Sequence, residues 1–270
     1  MPEGDTLART AAGLRPHLVG REVLAARAAG PGALPRVERL AGARVESVES
    51  RGKHLLIRFD SGLELRTHLG MHGSWHRYRP GERWRRAPAR ARLVIEVPGA
   101  VAVCFDAPVA ELLEIRAEPV HPVLANLGPD LLDPAFDPGE ALRGLRARSR
   151  ADLPIAEALL DQRALSGIGN VYKSEVLFIE RVHPFTVVGE LDDATLERLV
   201  ATARSLLVAN ANRAAGPERV TTGAARRRVG PLWVYGRAGR SCRRCDSRLV
   251  SRRHGDLPRV TTWCPGCQPG

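Results

Sequence analysis

Four cysteines carry the clearest chemical signal in the chain. Cys242 and Cys245 are two residues apart, eighteen residues follow, and Cys264 and Cys267 repeat the spacing. Each pair can offer two thiolates from one tight turn, and two such turns close a tetrahedron around a divalent ion, most simply one structural Zn2+. The forty or so residues around them cannot build an adequate core alone, so the ion would supply much of the local folding energy. The competing reading is a redox dithiol pair. A site closed by four thiolates keeps no open position and does not by itself indicate catalysis. His254, between the pairs, reads as a loop residue and not as a ligand. Cys104 stands apart, and five cysteines in this arrangement favour a metal site plus one buried thiol over disulfides.

Two further groups could do chemistry. Residues 159–178, LLDQRALSGIGNVYKSEVLF, read as a helix end, a turn at Gly167–Gly169 and a new helix starting at Asn170. Glycines permit close backbone approach, and the free amides of a helix N-terminus suit a phosphate, to which the Asn170 side chain can add a hydrogen bond. An ordinary helix–loop–helix reads the same way. At the other end the chain starts Met1-Pro2-Glu3-Gly4. Removal of Met1 would leave Pro2 with a free secondary amine, which can attack an aldehyde carbon and form an iminium, an electron sink for elimination. Glu3 beside it could serve as general acid. Taken alone, this opening is uninformative.

The elements that must hold these residues follow from the patterning. Residues 7–19 read as a short amphipathic helix. The next hundred residues read as short apolar or alternating strands broken by Gly and Pro turns, which predicts an antiparallel sandwich. Residues 119–139, rich in Pro, Asp and Gly, read as a linker. From 139 onward, apolar residues at helical spacing predict helices over 139–149, 154–162, 170–180 and 193–212, with Asp192 or Asp193 capping the last. The expected organisation is α+β and multidomain. A β-sandwich with a flanking helix fills 1–118, the linker 119–139, a helical domain 140–225 and a zinc finger 232–270.

Charge points to the partner. The net charge is +11, and residues 226–270 hold eleven arginines against Asp246 and Asp256. Such a balance fits a polyanion, most simply nucleic acid. Lysine is rare: Lys53 and Lys173 stand against 39 arginines. An ammonium can shift its pKa and trade protons where a guanidinium cannot, so a retained lysine hints at a need for an amine. No apolar run is long enough to span a bilayer and the N-terminus lacks the features of a secretory signal, so a cytoplasmic protein associated with the nucleoid through DNA is expected.

Together these motifs resemble the Fpg/Nei family of DNA glycosylase/AP lyases, which includes formamidopyrimidine-DNA glycosylase and endonuclease VIII. The resemblance runs from MPEG through SRGKHLLIRF and HLGMHGSW to LLDQ…GIGN and WCPGCQ, in the family's order and over essentially the whole chain. It implies a fold of β-sandwich, helix–two-turn–helix domain and zinc finger. It also implies a monomer acting on damaged DNA, with no small-molecule cofactor beyond zinc. The implied roles are specific. Pro2 is the Schiff-base nucleophile, and Glu3 protonates the deoxyribose. Lys53 contacts the DNA backbone and donates a proton in β-elimination. Asn170 grips phosphate, and Arg259, five residues before Cys264, grips phosphate and assists δ-elimination. Met71, in the GMHG segment, fills the gap left by the flipped nucleotide. A core methionine and a bland surface arginine are the competing readings for Met71 and Arg259.

Two departures qualify the resemblance. Many members carry a second glutamate at position 6, where this chain has Thr6, preceded by Asp5. The formamidopyrimidine branch has an RRFG-like loop where this chain reads CFDAPVAELLE, 104–114. The missing loop leans towards the endonuclease VIII branch and oxidised pyrimidines. An 8-oxoguanine or formamidopyrimidine specificity, or a catalytically impaired DNA-binding member, are the alternatives. With roughly four to six phosphate contacts, log K against log salt should fall with a slope of about −4 to −5. Titrations at several salt concentrations check this, and a slope near zero would contradict a phosphate-dominated interface.

Overall fold

A computed structural model describes residues 2–30, 34–213, 219–225, 230–255 and 259–270. Met1, the Arg226–Arg228 run and Asp256, each used in the sequence reading, lie outside the described residues. The chain divides into two compact units, Met1–Asn126 and Leu127–Gly270.

The first unit begins with α1, Gly4–Leu18, which starts three residues earlier than the apolar pattern predicts. The first turn, Gly4-Asp5-Thr6, is polar and therefore silent to periodicity. Its start is set by Glu3, whose extended backbone turns its carbonyl to accept the N–H groups of Thr6 and Leu7. Leu7, Ala11, Leu14 and Leu18 form the buried stripe, which packs on β2, Val45–Arg51, and β3, His54–Phe59. The remaining strands are β1 (Ala25–Ala28), β4 (Leu63–His68), β5 (Ser74–Tyr78), β6 (Ala91–Val97), β7 (Ala100–Phe105) and β8 (Val109–Glu114). They pair antiparallel as two four-stranded sheets, ordered β2-β3-β4-β8 and β1-β6-β7-β5. Alternate residues from both, among them Leu55, Ile57, Phe59, Leu65, Leu93, Ile95, Ala102 and Cys104, fill the core between them. Burial pushes the Cys104 thiol far up, so it behaves as a packing residue.

The other face of the β2-β3-β4-β8 sheet is polar yet largely buried. Glu118, in the turn after β8, accepts from Arg51 at 2.5 Å and from Arg58 at 2.8 Å. Arg58 also pairs with the buried Glu64 at 2.8 Å. Arg66 and His121 both reach Glu111. His54 and His68 oppose one another across β3 and β4, with ring centroids 5.1 Å apart. Burial, helped by the neighbouring Arg66 charge, drives His54 down to about 2, so its ring stays neutral.

The second unit is helical in its first half. It contains α2 (Pro138–Arg146), α3 (Ile155–Ala158), α4 (Asn170–Ile179) and α5 (Asp193–Ala211). The α5 cap is Asp192, which accepts from the Thr195 N–H at 2.7 Å. Only one turn of the expected 154–162 helix forms. Beyond it the Asp161 and Gln162 side chains bond backbone groups of the following loop in place of helix hydrogen bonds. Helix α4 is buried from Asn170 through Phe178. Its Glu175 carboxylate accepts the backbone N–H groups of Trp233, Val234 and Tyr235 at 2.7–2.8 Å, and the Thr221 hydroxyl as well. The Cys-rich module adds the hairpin of β9 (Val250–His254) and β10 (Arg259–Trp263). Phe178 of α4 shares a small core with Val234, Leu249, Cys242 and Cys264. His254, expected in a loop, ends β9 opposite Arg259.

The buried neutral His54 makes stability pH-dependent. Its folded-state pKa lies below the ordinary 6.5, so below that pH the unfolded chain takes up a proton that the native chain refuses. Stability is therefore full above about pH 6.5 and falls on acidification, by at most about 1.4 kcal/mol per pH unit from this group. The urea midpoint should drop between pH 7 and pH 5, and by less in His54→Gln. Equal drops in both proteins would show that another group is responsible.

Candidate active site and nucleic-acid interface

Pro2 is half-buried and sits one residue before the N-cap of α1. Glu3 is fully buried there, and Asp5 is fully buried in the first turn. The N-terminal end of a helix dipole favours negative charge, so both carboxyls lie where the backbone helps to hold them. Asp5 is tied along the helix to Arg9 at 3.6 Å and to the Thr6 hydroxyl at 3.4 Å.

Lys53 lies in the two-residue turn joining β2 and β3. Gly52 precedes it with φ 57°, the left-handed conformation that tight hairpin turns require. The turn presents a half-buried Lys53 at the end of the hairpin on which α1 packs. Met71 is 63 % exposed, which removes the core reading of this residue. It rides a turn after β4 that only glycine can make. Gly70 has φ 57°, and a Cβ at Gly73 would lie 2.4 Å from the Leu69 carbonyl oxygen. Where the sequence lacks the RRFG-like loop, β7 and β8 are joined by only Asp106, Ala107 and Pro108. The Arg90 and Arg86 guanidiniums beside Asp106 hold its carboxyl below the usual range and pin this turn.

In the second unit Asn170 is the first residue of α4, after Gly169, and is nearly buried. Its Nδ2 donates to the Val260 carbonyl at 2.9 Å, so it lies against the β10 strand that begins with Arg259. Asn170 and Val260 are 90 positions apart in the sequence, and the fold makes them neighbours. Gln162 shapes the loop before Asn170. Its Oε1 accepts from the Gly167 N–H and its Nε2 donates to the carbonyls of Leu160 and Ile168. Gln162 and Glu175 carry no sequence signal, because no spacing rule announces a buried polar partner, and the scarcity of lysine is what points to Lys173.

The four cysteine sulfurs all lie within 4.8 Å of one another. Cys242–Cys267 is 3.8 Å, and Cys245 is 3.4 Å from both Cys264 and Cys267. These separations are too long for disulfides. A tetrahedron with zinc–sulfur bonds of about 2.3 Å requires sulfurs roughly 3.8 Å apart, so the set fits zinc. Hydrogen bonding to Ser247 draws the Cys245 thiol down to about 6, whereas burial pushes Cys264 and Cys267 up. A divalent ion would hold the set as thiolates.

With this geometry in view, the comparisons are decisive. Residues 1–108 match the formamidopyrimidine-DNA glycosylase N-terminal domain, and residues 127–220 match the H2TH domain of the same enzyme. A probable endonuclease 8 2 from Streptomyces coelicolor is 43 % identical, covering 100 % of this chain and 95 % of that protein. The chain belongs to the Fpg/Nei family. The DNA-(apurinic or apyrimidinic site) lyase Nei2 of Mycolicibacterium smegmatis is also 43 % identical, with 99 % of each chain covered. The formamidopyrimidine-DNA glycosylase of Methylococcus capsulatus is 34 % identical, covering 99 % of this chain and 100 % of its own. The Fpg/Nei fold is seen again in solved structures. Lactococcus lactis Fpg with DNA containing an abasic site superposes at a TM-score of 0.83, with 21 % identity and 99 % of this chain and 100 % of that one covered. MutM with carbocyclic 8-oxo-G DNA gives 0.84, with 22 % identity and both chains fully covered.

Freshly purified protein should carry one zinc per chain by metal analysis. Cys264→Ser should release it and unfold the β9–β10 hairpin, while the first unit still unfolds cooperatively. Absence of zinc together with four freely titrating thiols would refute the assignment.

Proposed function

We propose that this family member is a base-excision-repair glycosylase with AP lyase activity, acting on oxidised bases in DNA, with oxidised pyrimidines favoured. The observation that carries the reading is Glu3, a fully buried carboxyl at the N-cap of α1 and next to Pro2. A buried acid beside a secondary amine is the pair that imine chemistry on a sugar needs.

In this reading, loss of Met1 frees the Pro2 nitrogen. The nitrogen attacks the anomeric carbon of a flipped nucleotide, and the base departs with the glycosidic electron pair. Glu3 delivers a proton to the ring oxygen as the sugar opens, and the amine sheds its own proton, leaving an iminium. That cation accepts the electrons released when a neighbouring C–H bond loses its proton, and the 3′ phosphate leaves. A second elimination releases the 5′ phosphate. Lys53 contacts the backbone and supplies a proton in the first elimination. Arg259 steadies phosphate for the second. Asn170 grips the backbone and Met71 occupies the vacated stack. The four cysteines hold one structural zinc, and the ion itself takes no part in the chemistry.

The lesion class is supported by the three-residue connection after β7, which has no room for an Arg-Phe loop facing the orphan base. It is also supported by relatives named endonuclease 8 at 42–43 % identity, against 32–34 % for those named formamidopyrimidine-DNA glycosylase.

Borohydride added during reaction with abasic or oxidised DNA should trap a covalent adduct that peptide mapping places on residue 2. A tag left before Pro2 converts its amine to an amide, and should abolish both base excision and strand cleavage while leaving DNA affinity intact. Glu3→Gln should collapse base excision but spare part of the cleavage at pre-formed abasic sites, whose aldehyde is already accessible. An adduct on lysine, or normal excision by the tagged protein, would overturn the mechanism. Activity on 8-oxoguanine but not on oxidised pyrimidines in a duplex panel would overturn the lesion class alone.

A further inference from the structure

Lys173 is one of only two lysines in the chain, and it is fully buried. Its ammonium has three N–H bonds to place and no capacity to accept. It donates to Asn170 Oδ1 at 2.5 Å, to Thr261 Oγ1 at 2.6 Å and, at 3.5 Å, to the Val260 carbonyl. An ammonium taken out of water is costly unless it is well bonded and its charge is answered. The answer runs through a chain of hydrogen bonds. Thr261 Oγ1 meets His254 Nε2, and His254 Nδ1 lies 3.1 Å from Glu157 Oε1 on α3. Burial keeps the His254 ring neutral against the pull of Glu157. A single directional pattern then satisfies every group. Lys173 gives to Thr261, Thr261 gives to His254, and His254 gives to the Glu157 carboxylate.

The same pattern decides which way the Asn170 amide points. The Lys173 ammonium can only donate and the Val260 carbonyl can only accept, so Asn170 must turn Oδ1 to the lysine and Nδ2 to the carbonyl. Its second amide N–H is then left for an anion at the start of α4. Without the ammonium the amide could rotate and present its oxygen, which a phosphate would repel.

We infer that Lys173 is the positioning residue of the phosphate grip: it fixes the Asn170 amide as a donor and ties α4 to the β9–β10 hairpin that carries Arg259. The inference rests on the reading of Asn170 as a phosphate contact. Lys173 itself touches no DNA in this arrangement.

The test uses full-length, zinc-loaded protein and a duplex bearing a non-cleavable abasic-site analogue. Asn170→Ala should weaken binding about tenfold, roughly the loss of one charge-assisted hydrogen bond. Lys173→Met should weaken it by a similar factor, and the double variant by about tenfold and not a hundredfold, because both remove one and the same contact. On cleavable abasic DNA the effect of Lys173→Met should fall on KM far more than on kcat. Thr261→Val, which removes an acceptor of the ammonium, should weaken binding, and Thr261→Ser should restore it. Wild-type binding by Lys173→Met alongside weakened Asn170→Ala, or additive losses in the double variant, would overturn the role of Lys173 and leave the phosphate reading standing. Wild-type binding by Asn170→Ala would overturn the phosphate reading beneath it. Should Lys173→Met lose its zinc, the Thr261 pair decides, and equal binding by Val and Ser variants would overturn the proposal.

Discussion

Helix α4 is buried along nearly its whole length while carrying an asparagine, a lysine, a serine and a glutamate. Burying unanswered polar groups of this kind costs several kcal/mol each. The second unit is organised around meeting that requirement. Glu175 takes three consecutive backbone N–H groups from Trp233–Tyr235 and the Thr221 hydroxyl, and so draws both stretches onto the helix. Lys173 and Asn170 take their partners from β10, and so draw in the hairpin. Arg244 lies over the Phe178 ring, 4.3 Å from its centroid, and donates to the Phe178 carbonyl, which brings the first cysteine turn to the end of the same helix. Helix, connecting segment and cysteine module therefore satisfy one another, and none reaches its low-energy state alone. The proposed phosphate contacts, Asn170 and Arg259, lie on this shared framework.

The first unit solves a parallel problem with backbone geometry. The proposed nucleophile needs to be at a chain end yet held still. Its neighbour Glu3 is anchored because its carbonyl starts α1, and α1 is anchored because its apolar stripe completes the sandwich core. Lys53 and Met71 are presented by turns whose glycines, Gly52 and Gly70, hold left-handed conformations. An L-residue with a side chain would be strained at either position. Lys53 is thus displayed at the end of the β2–β3 hairpin, and Met71 on the short turn by which the chain passes from one sheet to the other.

What could be read from the sequence divides along physical lines. The cysteine spacing, the strand alternation and the Asp192 cap are local properties, and the structure carries each of them. The antiparallel pairing of the strands followed from their short length and their Gly and Pro turns. Errors arose where a local rule competed with a non-local one. The polar first turn of α1 was invisible to apolar periodicity, and the expected helix through Leu160 gave way to side-chain bonds made by Asp161 and Gln162. His254 looked like a loop residue because only its cross-strand partner and Glu157 reveal its setting. The scarcity of lysine did point to residues that need an ammonium. At Lys173 the need is structural, a buried donor with three acceptors, which no count of residue types distinguishes from a catalytic one.

The division between framework and loops also bears on what a family member of this kind can recognise. The proposed chemistry draws on Pro2 and Glu3 at the head of α1 and on Lys53 at the end of a hairpin, all fixed by the sandwich. Recognition of the base and its orphan partner belongs to connections between strands, where length can change without disturbing the core. Between β7 and β8 the connection is only three residues, and Asp106 at its start has φ 53° and is clamped by two arginines. A turn so short and so pinned leaves no room for an added loop. In the proposed reading the group that faces the orphan base comes from another connection, while the proposed imine-forming end of the site needs no compensating change. Lesion preference can therefore diverge within one fold while the proposed nucleophile, its acid and the proposed phosphate contacts stay where their own cores hold them.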